Sequence, residues 1–242
     1  MSIPPEGSPA VTRTRAPDPT DGQRMRGTGA AAVVVAACVA VVVLLGVGVR
    51  MSFGPQLRLD TTVSSALYAG DHRSTLVNAL LYLLTGPGYS VPRLIIAVPL
   101  VVWLLRRGAR VAAGWVAVAY GLIGPITSLG KYVVARVRPP FSQGGALNHS
   151  PSFPSGHSSG IATTVVVGLI LVWPLVSGRA RRLWVTAGIV IVVLVGCSRL
   201  WLGEHYLTDV VAGWCLGLGW ALLTAVLFGM LPGGRAALRP RR

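Results

Sequence analysis

Residues 29–49 read GAAAVVVAACVAVVVLLGVGV, without one charged side chain. As a helix rising about 1.5 Å per residue, a run of this length crosses the ~30 Å hydrocarbon layer of a bilayer. It exceeds the apolar core of a secretion signal, and no clear small-x-small cleavage site follows, so a retained anchor is expected. Upstream, residues 1–27 carry Pro4, Pro5, Pro9, Pro17 and Pro19 among Gly, Thr and Arg, and read as a disordered tail that cannot bury a core.

Downstream, further apolar segments at 91–105, 112–134, 158–177, 183–202 and 206–231 bring the expected spans to six. Between the first two lies a mixed stretch, Arg50 to Ser90, with a weakly amphipathic segment from Thr75 to Leu84 and a Gly86-Pro87-Gly88 break. This predicts an interfacial or short re-entrant helix. The chain is 52% hydrophobic with mean hydropathy +0.64, which excludes an ordinary soluble domain. The expected fold is all-α, a six-helix transmembrane bundle over residues 28–232, with a basic tail over 233–242. Pro99, Pro125 and Pro174 should kink or end helix locally, and Gly213, Gly217 and Gly219 offer a close-packing face on the last span. Cys38, Cys197 and Cys215 lie in or beside apolar stretches and read as small packing residues.

The net charge is +15, yet the arginines alternate with long apolar segments and form no aromatic-interleaved patch, so nucleic acid is excluded as a partner. They cluster at Arg13, Arg15, Arg24 and Arg26, at Arg106, Arg107 and Arg110, at Arg179, Arg181 and Arg182, and at Arg235, Arg239, Arg241 and Arg242. With six spans all four clusters fall on one side, and the positive-inside rule makes it cytoplasmic, both termini included. A multi-pass plasma-membrane protein is expected.

Three polar strings interrupt this pattern, and all three land on the opposite face. The first runs from Lys131, the only lysine of the chain, to Arg138-Pro139. Its two cations are seven residues apart, so a helix continuing to Pro139 would put both on one stripe as an anion clamp. Alone, the string reads equally well as snorkelling side chains at a span end. The second, Pro154-Ser155-Gly156-His157, precedes the fourth span. Its backbone N–H groups, the Ser155 hydroxyl and the slender Gly156 suit a phosphate at a helix N-terminus, while simple helix capping is the plainer account. The third runs from Ser198-Arg199 to His205 and Asp209. His205 and Asp209, four apart at the start of the last span, would share a helix face, with the carboxylate accepting from one imidazole nitrogen and freeing the other as a nucleophile. An ordinary interfacial His-Asp pair is the alternative. Arg199 would need a break at Gly203 to turn back toward them. Two imidazoles, one carboxylate and three cations suit attack on a phosphate ester.

Lys131-x6-Arg138-Pro139, Pro154-Ser155-Gly156-His157 and Ser198-Arg199-x5-His205-x3-Asp209, at three successive span ends, resemble the signatures of the type-2 phosphatidic acid phosphatase superfamily. That family includes lipid phosphate phosphatases, undecaprenyl-diphosphate and phosphatidylglycerophosphate phosphatases and vanadate-dependent haloperoxidases. The resemblance covers roughly residues 60 to 230. It implies that Lys131, Arg138 and Arg199 bind phosphate with help from Ser155 and Gly156, that His157 protonates the leaving group, and that His205 is the nucleophile, oriented by Asp209, which forms a phosphohistidine. It gives no role to Glu204, His149 or the stretch Phe141 to Ser152, and Glu204 and His149 read as solvated loop residues.

The expected activity is hydrolysis of a lipid phosphate or diphosphate at the outer leaflet. Polyprenyl diphosphate, phosphatidate and phosphatidylglycerophosphate all fit as substrate and partner, with the bilayer as the other. No cofactor is expected and no metal, since Asp209 and Glu204 are the only acids near the strings and a divalent phosphoryl-transfer site needs more oxygen ligands. A phosphotransferase using the same residues and a non-enzymatic binder of anionic lipid are the alternatives.

Overall fold

The computed structural model describes residues 19–237, with side chains from 27 onward. The expectations for residues 1–18, for the arginines at 24 and 26, and for Arg239, Arg241 and Arg242 fall on residues or side chains outside that description. Eight α-helices follow one another: α1 (Pro19–Arg50), α2 (Gly54–Leu67), α3 (Thr75–Thr85), α4 (Ser90–Arg106), α5 (Arg110–Val134), α6 (Gly156–Val172), α7 (Gly178–Trp201) and α8 (Leu207–Leu227). Among the described residues there is no strand. Described from Pro19, helix α1 includes residues 19–27 of the stretch expected to be tail.

Among the described residues five helical stretches are long and apolar enough to cross a membrane: Gly27–Arg50, Arg110–Val134, Gly156–Leu175, Gly178–Trp201 and Leu207–Leu227. Thr75–Gly88 and Ser90–Arg106, bent by 42° at the expected Gly-Pro-Gly break, form the sixth if counted as one broken span. Large apolar side chains such as Leu44, Ile95 and Leu183 are two-thirds exposed on the bundle's outside, a surface that water would penalise and lipid accepts.

Inside, Leu104, Trp115, Val116 and Val167 are buried where α4, α5, α6 and α8 meet. The buried Trp115 indole donates to Thr224 Oγ1 at 3.1 Å, so the polar atom carried into the core is satisfied. The small-residue face expected on α8 is present. A Cβ at Gly213 would stand 2.6 Å from Ser155 O, one at Gly217 2.2 Å from Ser159 O, and one at Gly219 3.0 Å from Cys38 Cβ. Helix α8 therefore seats α6 on one flank and α1 on another at distances a larger side chain would forbid. Pro99 and Pro125 lie within continuous helices, whereas Pro174 falls in the 3-10 turn that closes α6.

Helix α2 was not expected. Its Pro55 marks the first turn, and the helix carries Asp60 into the protein with no exposure at all.

Candidate active site

Helix α5 ends earlier than the first string predicts. Ala135 takes φ 51°, in the left-handed region, and its N–H closes on Lys131 O. The helix stops at Val134, so Arg138 does not share a helical stripe with Lys131. It stands on an irregular segment over 135–140 instead. The two cations still converge, through the return of the chain at Ser150 and Pro151. Lys131 Nζ donates to Pro151 O, while Arg138 Nε donates to Ser150 O at 2.8 Å and its Nη2 to Ser150 Oγ at 3.0 Å. The stretch Phe141 to Ser152 thus steers the clamp, and Gly145 N–H donates to Gly203 O at 2.9 Å, docking it on the α7–α8 turn.

The break at Gly203 is where the sequence places it. Gly203 has φ 70°, α7 stops at Trp201, and Glu204 N–H bonds back to Arg199 O at 3.0 Å. Arg199 is thereby brought beside Arg138, and the residue between them is Glu204. Its Oε2 accepts from Arg138 Nη1 at 2.8 Å and lies 3.6 Å from Arg199 Nη2. Glu204 is not the solvated loop residue expected, since it fills the anion position of the clamp. His149 is exposed. Arg199 is further fixed by Thr85 at the end of α3, whose Oγ1 accepts from Nη1 at 2.9 Å.

His205 is 2% exposed, and its Nε2 lies 3.4 Å from Arg138 Nη1. It precedes Tyr206, the N-cap of α8, so it does not sit on the helix face of Asp209. Its Nδ1 is 3.5 Å from Asp209 Oδ2, beyond an ordinary N–H···O bond of about 2.7–3.2 Å. The Asp209 oxygens are committed elsewhere: Oδ1 accepts from Arg136 Nη1 at 2.7 Å and Oδ2 from Tyr206 N–H at 2.9 Å. Burial first, then the Arg138, Arg199 and Lys131 charges, hold the His205 imidazole well below its usual 6.5, and it is neutral at neutral pH.

Arg136 is the residue that sequence reading missed. It lies between the two cations of the first string and joins two carboxylates. Its Nη2 donates to Asp60 Oδ2 at 2.7 Å, its Nη1 also to Thr208 Oγ1 at 2.9 Å, and its guanidinium sits 4.0 Å over the Tyr206 ring. Asp60 in turn accepts from Thr208 N–H at 2.9 Å and Thr208 Oγ1 at 2.6 Å. The available signal was scarcity, because the chain has only seven acids and one in a bundle needs a partner.

Ser155 is the N-cap of α6. Its Oγ accepts from Ser158 N–H at 3.5 Å and its own N–H donates to Asp209 O at 2.9 Å, so Ser155 caps the helix that opens at Gly156. Gly156 opens α6 with only Thr127 near its missing Cβ, at 3.8 Å. The His157 ring meets Tyr89 edge-on at 4.4 Å, and among the described residues its Nε2 has no hydrogen-bond partner. His157, Gly156 and Lys131 line one cavity of about 190 Å³ with residues of α4 and α5. Among the described residues no three His, Cys, Asp or Glu side chains gather as metal ligands.

Residues 112–232 match the PAP2 superfamily. Phosphatidylglycerophosphatase B of Bacillus subtilis is 46% identical over 93 residues, 36% of this chain and 44% of that one. An undecaprenyl-diphosphatase of Sulfolobus acidocaldarius is 39% identical over 92 residues, 36% of this chain and 41% of that one. A lipid A 1-phosphatase of Rhizobium johnstonii is 33% identical over 114 residues, 43% of each chain. The chain thus spans under half the length of these curated relatives. The crystal structure of a transmembrane PAP2-type phosphatidylglycerolphosphate phosphatase from Bacillus subtilis superposes with TM-score 0.67 at 28% identity, covering 78% of this chain and 93% of that one. With its three strings gathered at one end of a helical bundle and half its length matching, the chain belongs to the PAP2 superfamily.

Proposed function

We propose that this chain is an integral membrane phosphatase that removes phosphate from a lipid phosphate or diphosphate. The observation that carries the reading is the Glu204 carboxylate, held between Arg138 and Arg199, with Arg138 Nη1 at 3.4 Å from His205 Nε2. An anion already sits in the clamp beside a neutral imidazole. A phosphoryl group taking that place would have its charge met by guanidinium groups and Lys131, and the phosphorus would stand in front of Nε2.

In this mechanism Nε2 attacks phosphorus, the bond to the leaving oxygen breaks, and His157 delivers its proton to that oxygen. Asp209, held by Arg136, faces Nδ1 and favours the tautomer with its proton there. Water then attacks the phosphohistidine, His157 takes its proton, and orthophosphate leaves with His205 restored. Cations take the role a metal would play, so the rate should survive chelator. The basic connections Arg106 to Arg110 and Arg179 to Arg182 lie at the other end of the bundle from the site, which supports cytoplasmic termini and an outward-facing site.

The test is phosphate release from a panel of purified lipid phosphates, with His205→Ala in parallel. Release by the wild type and loss of at least nine-tenths of it in the variant is the expected result. A wild type silent on every lipid, or a variant as active as wild type, would overturn the reading. Running the panel with an acceptor alcohol detects transfer to the alcohol in place of water.

A further inference from the structure

The described bundle buries several arginines near the site, and all but one have a carboxylate. Arg136 holds Asp60 and Asp209, while Arg138 and Arg199 share Glu204. The exception is Arg93, in the first turn of α4 and 8% exposed. Its Nη2 donates to Ser90 Oγ at 2.9 Å and its Nε to Tyr89 O at 3.3 Å. Its Nη1 makes no hydrogen bond to a described residue, and no described carboxylate pairs with it. A guanidinium buried this far without a counter-charge is costly, the more so beside lipid.

The packing makes room for it. A Cβ at Gly160 on α6 would stand 2.6 Å from Arg93 Cζ, and one at Gly88 would stand 2.8 Å from His157 Cβ. Two glycines therefore clear the space in which the guanidinium and the imidazole face one cavity. That cavity, about 190 Å³, is lined by Arg93, Lys131, His157, Gly156, Thr127 and Tyr89 among others, and no lining residue is an acid. Arg138, Arg199 and His205 do not line it, so it lies on the His157 side of the clamp. On the mechanism above that is the side from which the leaving group departs.

The geometry points to Arg93 as the anchor for a second phosphate, carried by the leaving group. This rests on the proposed phosphatase activity and narrows its substrate class. The preferred substrate is a lipid in which the departing portion is itself anionic, as in a lipid diphosphate or a phosphomonoester attached to a phosphodiester headgroup. Phosphatidate, whose leaving alcohol is uncharged, gives Arg93 nothing to bind. Arg93 takes no part in bond-making and acts by positioning the departing phosphate beside His157.

The experiment compares kcat/KM for a two-phosphate lipid with that for phosphatidate in the full-length detergent-solubilised protein. In Arg93→Gln the ratio of the two should fall at least fivefold, and Arg93→Lys should recover part of it. Arg107→Gln, at the far end of α4, should leave the ratio unchanged. A smaller fall in Arg93→Gln overturns the inference while leaving the phosphatase reading intact, whereas a wild type inactive on every lipid removes both. Should Arg93→Gln not fold, the wild type decides alone. Methylenediphosphonate should inhibit at least five times more strongly than orthophosphate, and equal inhibition by the two overturns the proposal.

Discussion

In the proposed mechanism the chemistry turns on His205, Arg138 and Glu204. Replacing His205 or Arg138 with Ala should each leave less than about a tenth of the phosphate release, because one removes the attacking nitrogen and the other the charge in front of it. A depressed His205 makes a pH prediction with a definite sign. The imidazole must be unprotonated to attack, so kcat/KM should hold as pH falls through 6.5 and drop only well below that value. An acid limb at or above 6.5 would contradict the neutral nucleophile. On the proposed reading Glu204 occupies the place a phosphate would take between Arg138 and Arg199, so Glu204→Gln should strengthen vanadate inhibition several-fold, read as a lower inhibition constant. Arg136→Met leaves Asp60 and Asp209 buried without their cation. It should cost about 3–5 kcal/mol of stability, measured by thermal unfolding in detergent.

At the level of elements, the joints matter more than the helices. Ala135 ends α5 in a left-handed conformation that costs a residue with a Cβ about 1–2 kcal/mol. Ala135→Gly should raise the unfolding temperature by a few degrees and keep activity. The same residue explains what the sequence concealed. The apolar pattern gave α5 and α8 and the break at Gly203, but a left-handed alanine carries no sequence signal, and helix was carried on to Pro139. The three strings were legible because their spacing is local. Asp60 and Arg93 were not, because their significance depends on partners brought from other helices: Asp60 meets Thr208 across 148 positions. Helix α2 was hidden for a related reason, since its mixed composition has meaning only once Asp60 is seen buried.

For the molecule as a whole, orientation is the property to measure. With Cys38, Cys197 and Cys215 replaced, a single cysteine in the Arg179 to Arg182 connection should resist a membrane-impermeant maleimide in intact cells, and one at His149 should react. The reverse pattern would invert the site. Acid distribution has another consequence. Of the seven acids, Asp60, Glu204 and Asp209 are consumed at the site, and Asp71 is bonded to Tyr68. Among the described side chains Asp71 is the one fully exposed acid, so the described exterior carries mostly positive charge. The basic connections Arg106 to Arg110 and Arg179 to Arg182 offer this charge to anionic headgroups at the end of the bundle away from the site, an attraction that added salt should weaken.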